Sequence, residues 1–187
     1  GQAVSVLTFA TQDGDSTSRL VYKPKDMGVD LAYQQALDHL NRNTALPPLR
    51  RLSIHCGDDY GYMEFVEHRL CRGEDELKLF YRNAGRLTAV LHLLGCTDCH
   101  HENLIACGDQ LLLIDTETLL EADVPDHIGD ASDYQTSLNQ SDLQKRVQNS
   151  VLRSGLLPTW LIVGKARAAV DISALGTIQP GESMIIA

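Results

Sequence analysis

Asp98, His100 and Asn103 stand on one short polar stretch, Gly95-Cys96-Thr97-Asp98-Cys99-His100-His101-Glu102-Asn103. Two apolar runs follow, residues 104–107 and 111–114, and the second ends in Asp115-Thr116-Glu117. Gly108-Asp109-Gln110 between the runs predicts a hairpin. A hairpin returns the chain to its start, so Asp98 and Asn103 at its entrance are expected near Asp115 at its exit. Oxygen donors converging there suit Mg²⁺, which takes carboxylate and carbonyl ligands and keeps several waters. One carboxylate then remains to orient or deprotonate a hydroxyl. Kinase-type sites use this layout for phosphoryl transfer: an Asp accepts the hydroxyl proton and an Asn five residues on binds metal.

Other elements must position these groups. Residues 4–10 (VSVLTFA) alternate and are β-prone, Asp13-Gly14-Asp15-Ser16 reads as a turn, and residues 19–23 (RLVYK) read as the returning strand. Lys23 closes that strand before Pro24. A strand lysine in a small N-terminal sheet is where kinase-like folds keep the residue that meets nucleotide phosphates; a solvated edge-strand lysine is the commoner case. Residues 31–40 have helical spacing, with Leu31, Ala32, Ala36, Leu37 and Leu40 on one side, and residues 41–48 break it. Residues 50–56 and 61–67 read as two strands across Gly57-Asp58-Asp59. Glu64 on the second is a candidate site residue, although a carboxylate fixing local structure is the better reading. Residues 74–94 form the clearest helix, with Leu77, Phe80, Tyr81, Ala84, Leu87, Leu91 and Leu94 as an apolar core stripe and Gly95 as its stop. Residues 122–149 read as a long polar connection. Apolar character returns at 151–158 and 161–163, and residues 171–175 begin a further element.

The 187 residues are enough for one domain or two small lobes, and 43% hydrophobic residues is ordinary for a globular chain. A net charge of −9 argues against nucleic-acid binding by phosphate neutralisation and against a polybasic membrane patch. No run approaches the ~18 apolar residues of a membrane span, and no signal-peptide pattern opens the chain, so a cytoplasmic protein is expected. Five irregularly spaced cysteines favour free thiols over a disulfide framework. The chain starts directly before a strand without an initiator Met and reads as a segment of a larger protein.

Two rival chemistries use the same stretch. Cys96-Thr97-Asp98-Cys99-His100 fits the pattern for c-type haem attachment, which requires export and a distal ligand. Cys96 and Cys99 with His100 and His101 can also bind zinc, although no second pair accompanies them.

The set VSVLTF, LVYKPK, YGYMEFVEH, YRNAGRLTAVLHLLGCTDCHHENLIACGDQLLLIDTETLL and SVLRSGLLP resembles the dehydratase domain of class II lanthipeptide synthetases. The resemblance implies an α+β, protein/lipid-kinase-like two-lobed fold, here truncated. A small N-terminal β-sheet lobe would span residues 1–70. A C-terminal lobe would span 71–187, with the catalytic loop at 95–107 and the metal loop at 111–120. It implies a phosphotransferase/lyase that uses ATP and Mg²⁺ to phosphorylate Ser and Thr of a precursor (leader-core) peptide and then eliminates the phosphate. Lys23 would contact nucleotide phosphates, Asp98 would act as base and His100 would assist. Asn103 and Asp115 would hold Mg²⁺, and Glu117 would complete the second loop. Lys23 and Asp98 would also serve elimination, as would Ser154, where relatives commonly carry Thr. The phosphate-covering loop, one elimination arginine and the C-terminal cyclase domain of the same synthetase would lie outside these residues. The segment alone is therefore expected to have little activity. A nucleotide- or leader-binding fragment without chemistry, and a kinase-like enzyme acting on a lipid or small molecule, are the alternatives.

Overall fold

The computed structural model describes residues 3–10, 17–97, 99–120, 147, 149–158, 160–163, 168–171, 173 and 175. Over the described residues the chain is a mixed α/β protein built from small antiparallel sheets and two long helices. It groups into two compact units, residues 1–85 with 105–117 and residues 86–104 with 118–187.

In the first unit β1 (Ser5–Ala10) pairs antiparallel with β2 (Thr17–Lys23), the hairpin read from the alternation. The expected turn at residues 13–16 lies outside the described residues. Helix α1 (Gly28–Asn43) follows, then β3 (Ile54–Cys56) and β4 (Gly61–Glu64), giving the strand order β1-β2-β4-β3. Period two places Val21 and Lys23 on one face of β2. Val21 packs on the buried cluster of Met27, Leu52, Met63, Val66 and Leu112, so Lys23 is carried to the edge of that apolar cluster.

Three differences from the sequence reading have physical causes. The buried stripe of α1 is Asp30, Tyr33, Gln34 and Leu37, and the helix runs to Asn43. Polar partners turn this face inward, because Gln34 Oε1 accepts the Leu52 N–H at 2.8 Å and Asp30 pairs with Lys23. Asn41 then closes the following turn, donating to the Leu49 carbonyl and accepting from the Leu49 amide. Next, β3 is shorter than the run 50–56, because the Arg50 and Leu52 amides go to the Gln110 and Gln34 side chains instead of a ladder. Finally, α2 (Glu74–Leu93) has the expected length, yet its stripe is buried only at Ala84, Leu87 and Leu91, whereas Leu77 and Tyr81 are exposed.

Gly95 ends α2 with φ +69, a left-handed position that favours glycine. Gly61 sits opposite Lys23 in the β2–β4 ladder, where a Cβ would come within 2.4 Å of Met27 Sδ and 2.9 Å of the His55 carbonyl oxygen. Close approach of Met27 and β3 therefore requires glycine there. Strands β5 (Leu104–Cys107) and β6 (Gln110–Leu113) form the predicted hairpin around Gly108-Asp109. Asn83 of α2 donates to the Asp109 carbonyl at 2.8 Å and fixes that turn.

In the second unit Leu91, Cys96, Cys99, Leu119, Ser154 and Leu156 are buried. A 3-10 turn, Val151–Ser154, precedes the antiparallel pair β7 (Trp160–Val163) and β8 (Ala168–Asp171). Asp171 closes β8, and the element expected over residues 171–175 lies partly outside the described residues. The polar connection at 122–149 lies almost wholly outside the described residues. Among the described residues no helix is long and apolar enough to cross a membrane.

Candidate functional site

Lys23 is 5% exposed although it ends a strand. A buried ammonium requires partners, and the fold supplies two. Its Nζ donates to the Ile114 carbonyl, the residue directly before Asp115, and stands 3.7 Å from Asp30 Oδ1. Asp30 lies in the first turn of α1, where the helix dipole favours a carboxylate, and is 3% exposed. Burial raises the Asp30 pKa, and the charges of Lys23 and Lys25 only partly offset that rise.

Two residues further on, Lys25 reaches the same loop from its solvent side. Its Nζ donates to Asp115 Oδ1 at 2.8 Å and stands 3.5 Å from Glu117 Oε2. Burial opposes the charge on Lys25, but the Asp115 hydrogen bond with the charges of Asp115, Asp30 and Glu117 prevails, and its pKa rises. Burial likewise pushes Asp115 up, whereas the Lys25 hydrogen bond and the two lysine charges pull harder, and its carboxyl falls below its ordinary value. Thr116 is buried between these acids. Its hydroxyl leans on Asp30 and lowers that carboxyl, yet Oγ1 makes no hydrogen bond of normal geometry among the described residues. Lys23, Lys25, Asp30, Asp115, Thr116 and Glu117 thus form one polar cluster in the first unit.

Glu64 is elsewhere on the sheet. It ion-pairs with Arg50 and accepts the Ser53 N–H at 3.2 Å, which fits the local-structure reading.

The second unit holds His100, Asn103 and Ser154. His100 caps the one-turn helix His101–Asn103, its Nδ1 accepting the Glu102 N–H at 3.2 Å, and its carbonyl accepts the Asn103 N–H at 3.1 Å. The Ser154 carbonyl accepts the Cys99 N–H at 2.8 Å, and its buried hydroxyl donates to the Val151 carbonyl at 2.8 Å. The SVLRSGLLP segment is therefore stitched to the loop that carries Asp98. Asp98 itself lies outside the described residues. Cys96 and Cys99 form a disulfide. This departs from the expectation of free thiols and engages both sulfurs that haem attachment or a zinc site would use.

Residues 1–186 match the family described as Domain of unknown function (DUF4135). The chain belongs to this family. The DUF4135 chain is also 27% identical over 150 residues to the lacticin 481/lactococcin biosynthesis protein LcnDR2 of Lactococcus lactis subsp. lactis. The match takes in 75% of this chain and 16% of that relative's length. Together these similarities bear out the resemblance to class II lanthipeptide synthetases.

The donor chemistry of the DUF4135 chain can be tested against Mg²⁺. Among the described residues no three His, Cys, Asp or Glu side chains gather into a closed metal cage. Asp115 and Glu117 form an open, half-exposed pair instead. One or two carboxylates are what Mg²⁺ takes from a protein when phosphates and water complete its octahedron, so the pair fits. Sequence reasoning missed Asp30 and Lys25. The signals for them were an acid in the first turn of a helix and a second lysine after Pro24, and both patterns are common on solvated surfaces.

Proposed function

We propose that the whole protein carrying this chain acts in lanthipeptide biosynthesis, dehydrating Ser and Thr of a ribosomal precursor peptide by ATP-dependent phosphorylation followed by phosphate elimination. The observation that carries this reading is Lys23. It is a buried strand lysine locked to Asp30 on the next helix and to the carbonyl next to Asp115, the pairing that phosphoryl transfer uses to hold nucleotide phosphates beside a metal-binding acid. The likeness to a lanthipeptide biosynthesis protein supports the substrate class. In this reading the fold is kinase-like, with residues 1–70 as the smaller lobe and 71–187 as the larger.

Each residue then has a task. Lys23 meets the phosphates. Asn103 and Asp115 hold Mg²⁺, with Glu117 completing that loop. Mg²⁺ held there would supply neutralisation of the phosphate charge. Asp98 accepts the proton of the substrate hydroxyl as its oxygen attacks the terminal phosphorus and ADP leaves, and His100 assists in the loop. In the second half-reaction the α-proton is removed, the Cα–Cβ double bond forms and phosphate departs from Cβ. Both half-reactions move a proton next to a phosphate, so one cationic pocket stabilises charge in each. Lys23, Asp98 and Ser154 serve this step, and the cyclase domain of the same synthetase would take the dehydrated product.

Mass spectrometry of a candidate precursor peptide incubated with the whole protein, ATP and Mg²⁺ tests the reading. Loss of ~18 Da per modified residue supports dehydration, and a stable gain of ~80 Da would mark a plain kinase. Asp98→Asn is expected to abolish phosphate addition; unchanged addition would remove Asp98 from its role.

A further inference from the structure

The Lys25 ammonium lies against Asp115 and Glu117, carboxylates that would help hold a divalent ion in the proposed metal loop. It is 2.8 Å from one carboxylate oxygen and 3.5 Å from the other. Its side chain is about a third exposed, as is that of Asp115. Among the described residues Lys25 pairs with the Asp115 and Glu117 carboxylates, and Asp30 acts on it through charge. Two cations on one acidic pair repel each other, so a lysine and a divalent ion compete for it. Nucleotide phosphates would offer the lysine an anion away from that loop.

We propose that Lys25 is a displaceable counter-cation of the metal loop. In the absence of nucleotide it closes the Asp115–Glu117 pair and competes with Mg²⁺ for it. Nucleotide phosphates draw it away, so metal loads together with nucleotide. Lys25 is thus a positioning residue that couples two ligands by a shared charge. The inference rests on the reading of Asp115, with Glu117 beside it, as the metal loop, and it adds an order of loading which that reading does not contain.

The test counts bound Mn²⁺ by electron paramagnetic resonance on the whole protein, with and without a non-hydrolysable ATP analogue. The comparison uses wild type, Lys25→Met, Lys25→Arg and Asp115→Asn, and only the Mn²⁺ that Asp115→Asn removes is assigned to the loop. Wild type should bind that Mn²⁺ weakly alone and about tenfold more tightly with the analogue, within the usual range of site-to-site coupling. Lys25→Met should bind it about tenfold more tightly than wild type without nucleotide and lose most of the dependence on the analogue. Lys25→Arg, which keeps the charge, should behave like wild type. An unchanged or weaker Mn²⁺ affinity in Lys25→Met, with Asp115→Asn still removing the ion, would overturn the proposal and leave the metal loop standing. If Asp115→Asn removes no Mn²⁺, the metal loop itself fails, and the proposal with it.

Discussion

Two lysines separated by one proline reach the same acidic loop and do different work. Lys23 is enclosed, with a backbone carbonyl and a buried carboxylate as partners. Lys25 is about a third exposed and, among the described residues, pairs with carboxylates. A buried charge that loses its partner is stranded in a low dielectric, whereas an exposed one is rehydrated. The inner pair is therefore a fixed part of the first unit, and the outer pair is available for exchange.

The largest effect tests the inner pair. Asp30→Ala strands the Lys23 ammonium and should cost about 3–5 kcal/mol, read from urea denaturation; a loss under about 1 kcal/mol would place the pair with ordinary surface bridges. The double variant Lys23→Met/Asp30→Leu removes both charges and keeps apolar volume. Its stability should return to wild type or slightly above, as such replacements often do, while peptide dehydration disappears by mass spectrometry. Retained dehydration would sever Lys23 from the chemistry. A smaller effect concerns Ser154. Its hydroxyl bonds the Val151 carbonyl and accepts the Leu156 N–H at 3.3 Å, so Ser154→Ala should cost about 1–3 kcal/mol, because it leaves a buried polar group unsatisfied. Ser154→Thr should retain elimination if the hydroxyl is what matters.

The smallest effect belongs to the outer pair, worth about 1 kcal/mol or less at this exposure. Asp115 has a folded pKa below its ordinary 3.8. Its contribution is therefore full above that value and is lost as pH falls through the depressed folded value. Lys25 is raised above its ordinary 10.5, so its contribution is full below that value and is lost as pH rises through the raised one. Asp30 is raised and acts with the opposite sign in acid, favouring the folded state relatively more as pH falls. The outer pair is isolated by difference. Thermal melts of wild type minus Asp115→Asn should show an acid limb below about pH 4, and wild type minus Lys25→Met an alkaline limb above about pH 10. Flat differences would mean the outer pair adds nothing to folding.

What the sequence made legible follows the same division. The β1–β2 and β5–β6 hairpins, the reach of α2 and its stop at Gly95 all rest on local chemistry, namely alternation, a Gly turn and helical spacing, and all of them formed. The buried face of α1 was misread because Asp30 and Gln34 are inward for the sake of partners 7 and 18 residues away, Lys23 and Leu52. Polar burial of that kind leaves no period in the sequence. The N-terminal half of the α2 stripe was expected in the core because spacing reports a face and says nothing of what covers it. Lys23 was legible as a candidate from its strand-end position, and Asp30 emerged only once the helix was placed. Asp98, on which the proposed base chemistry turns, lies outside the described residues, so its role rests on the motif.

The most direct test of the central claim, that Lys23, Asp30 and Asp115 outline a nucleotide phosphate pocket, is ATP binding by calorimetry in the whole protein. Wild type is compared with the folded Lys23→Met/Asp30→Leu variant. The account predicts that the variant melts like wild type and binds ATP at least about tenfold more weakly, the loss of one charge-assisted contact. Equal ATP affinity in the two proteins would contradict it.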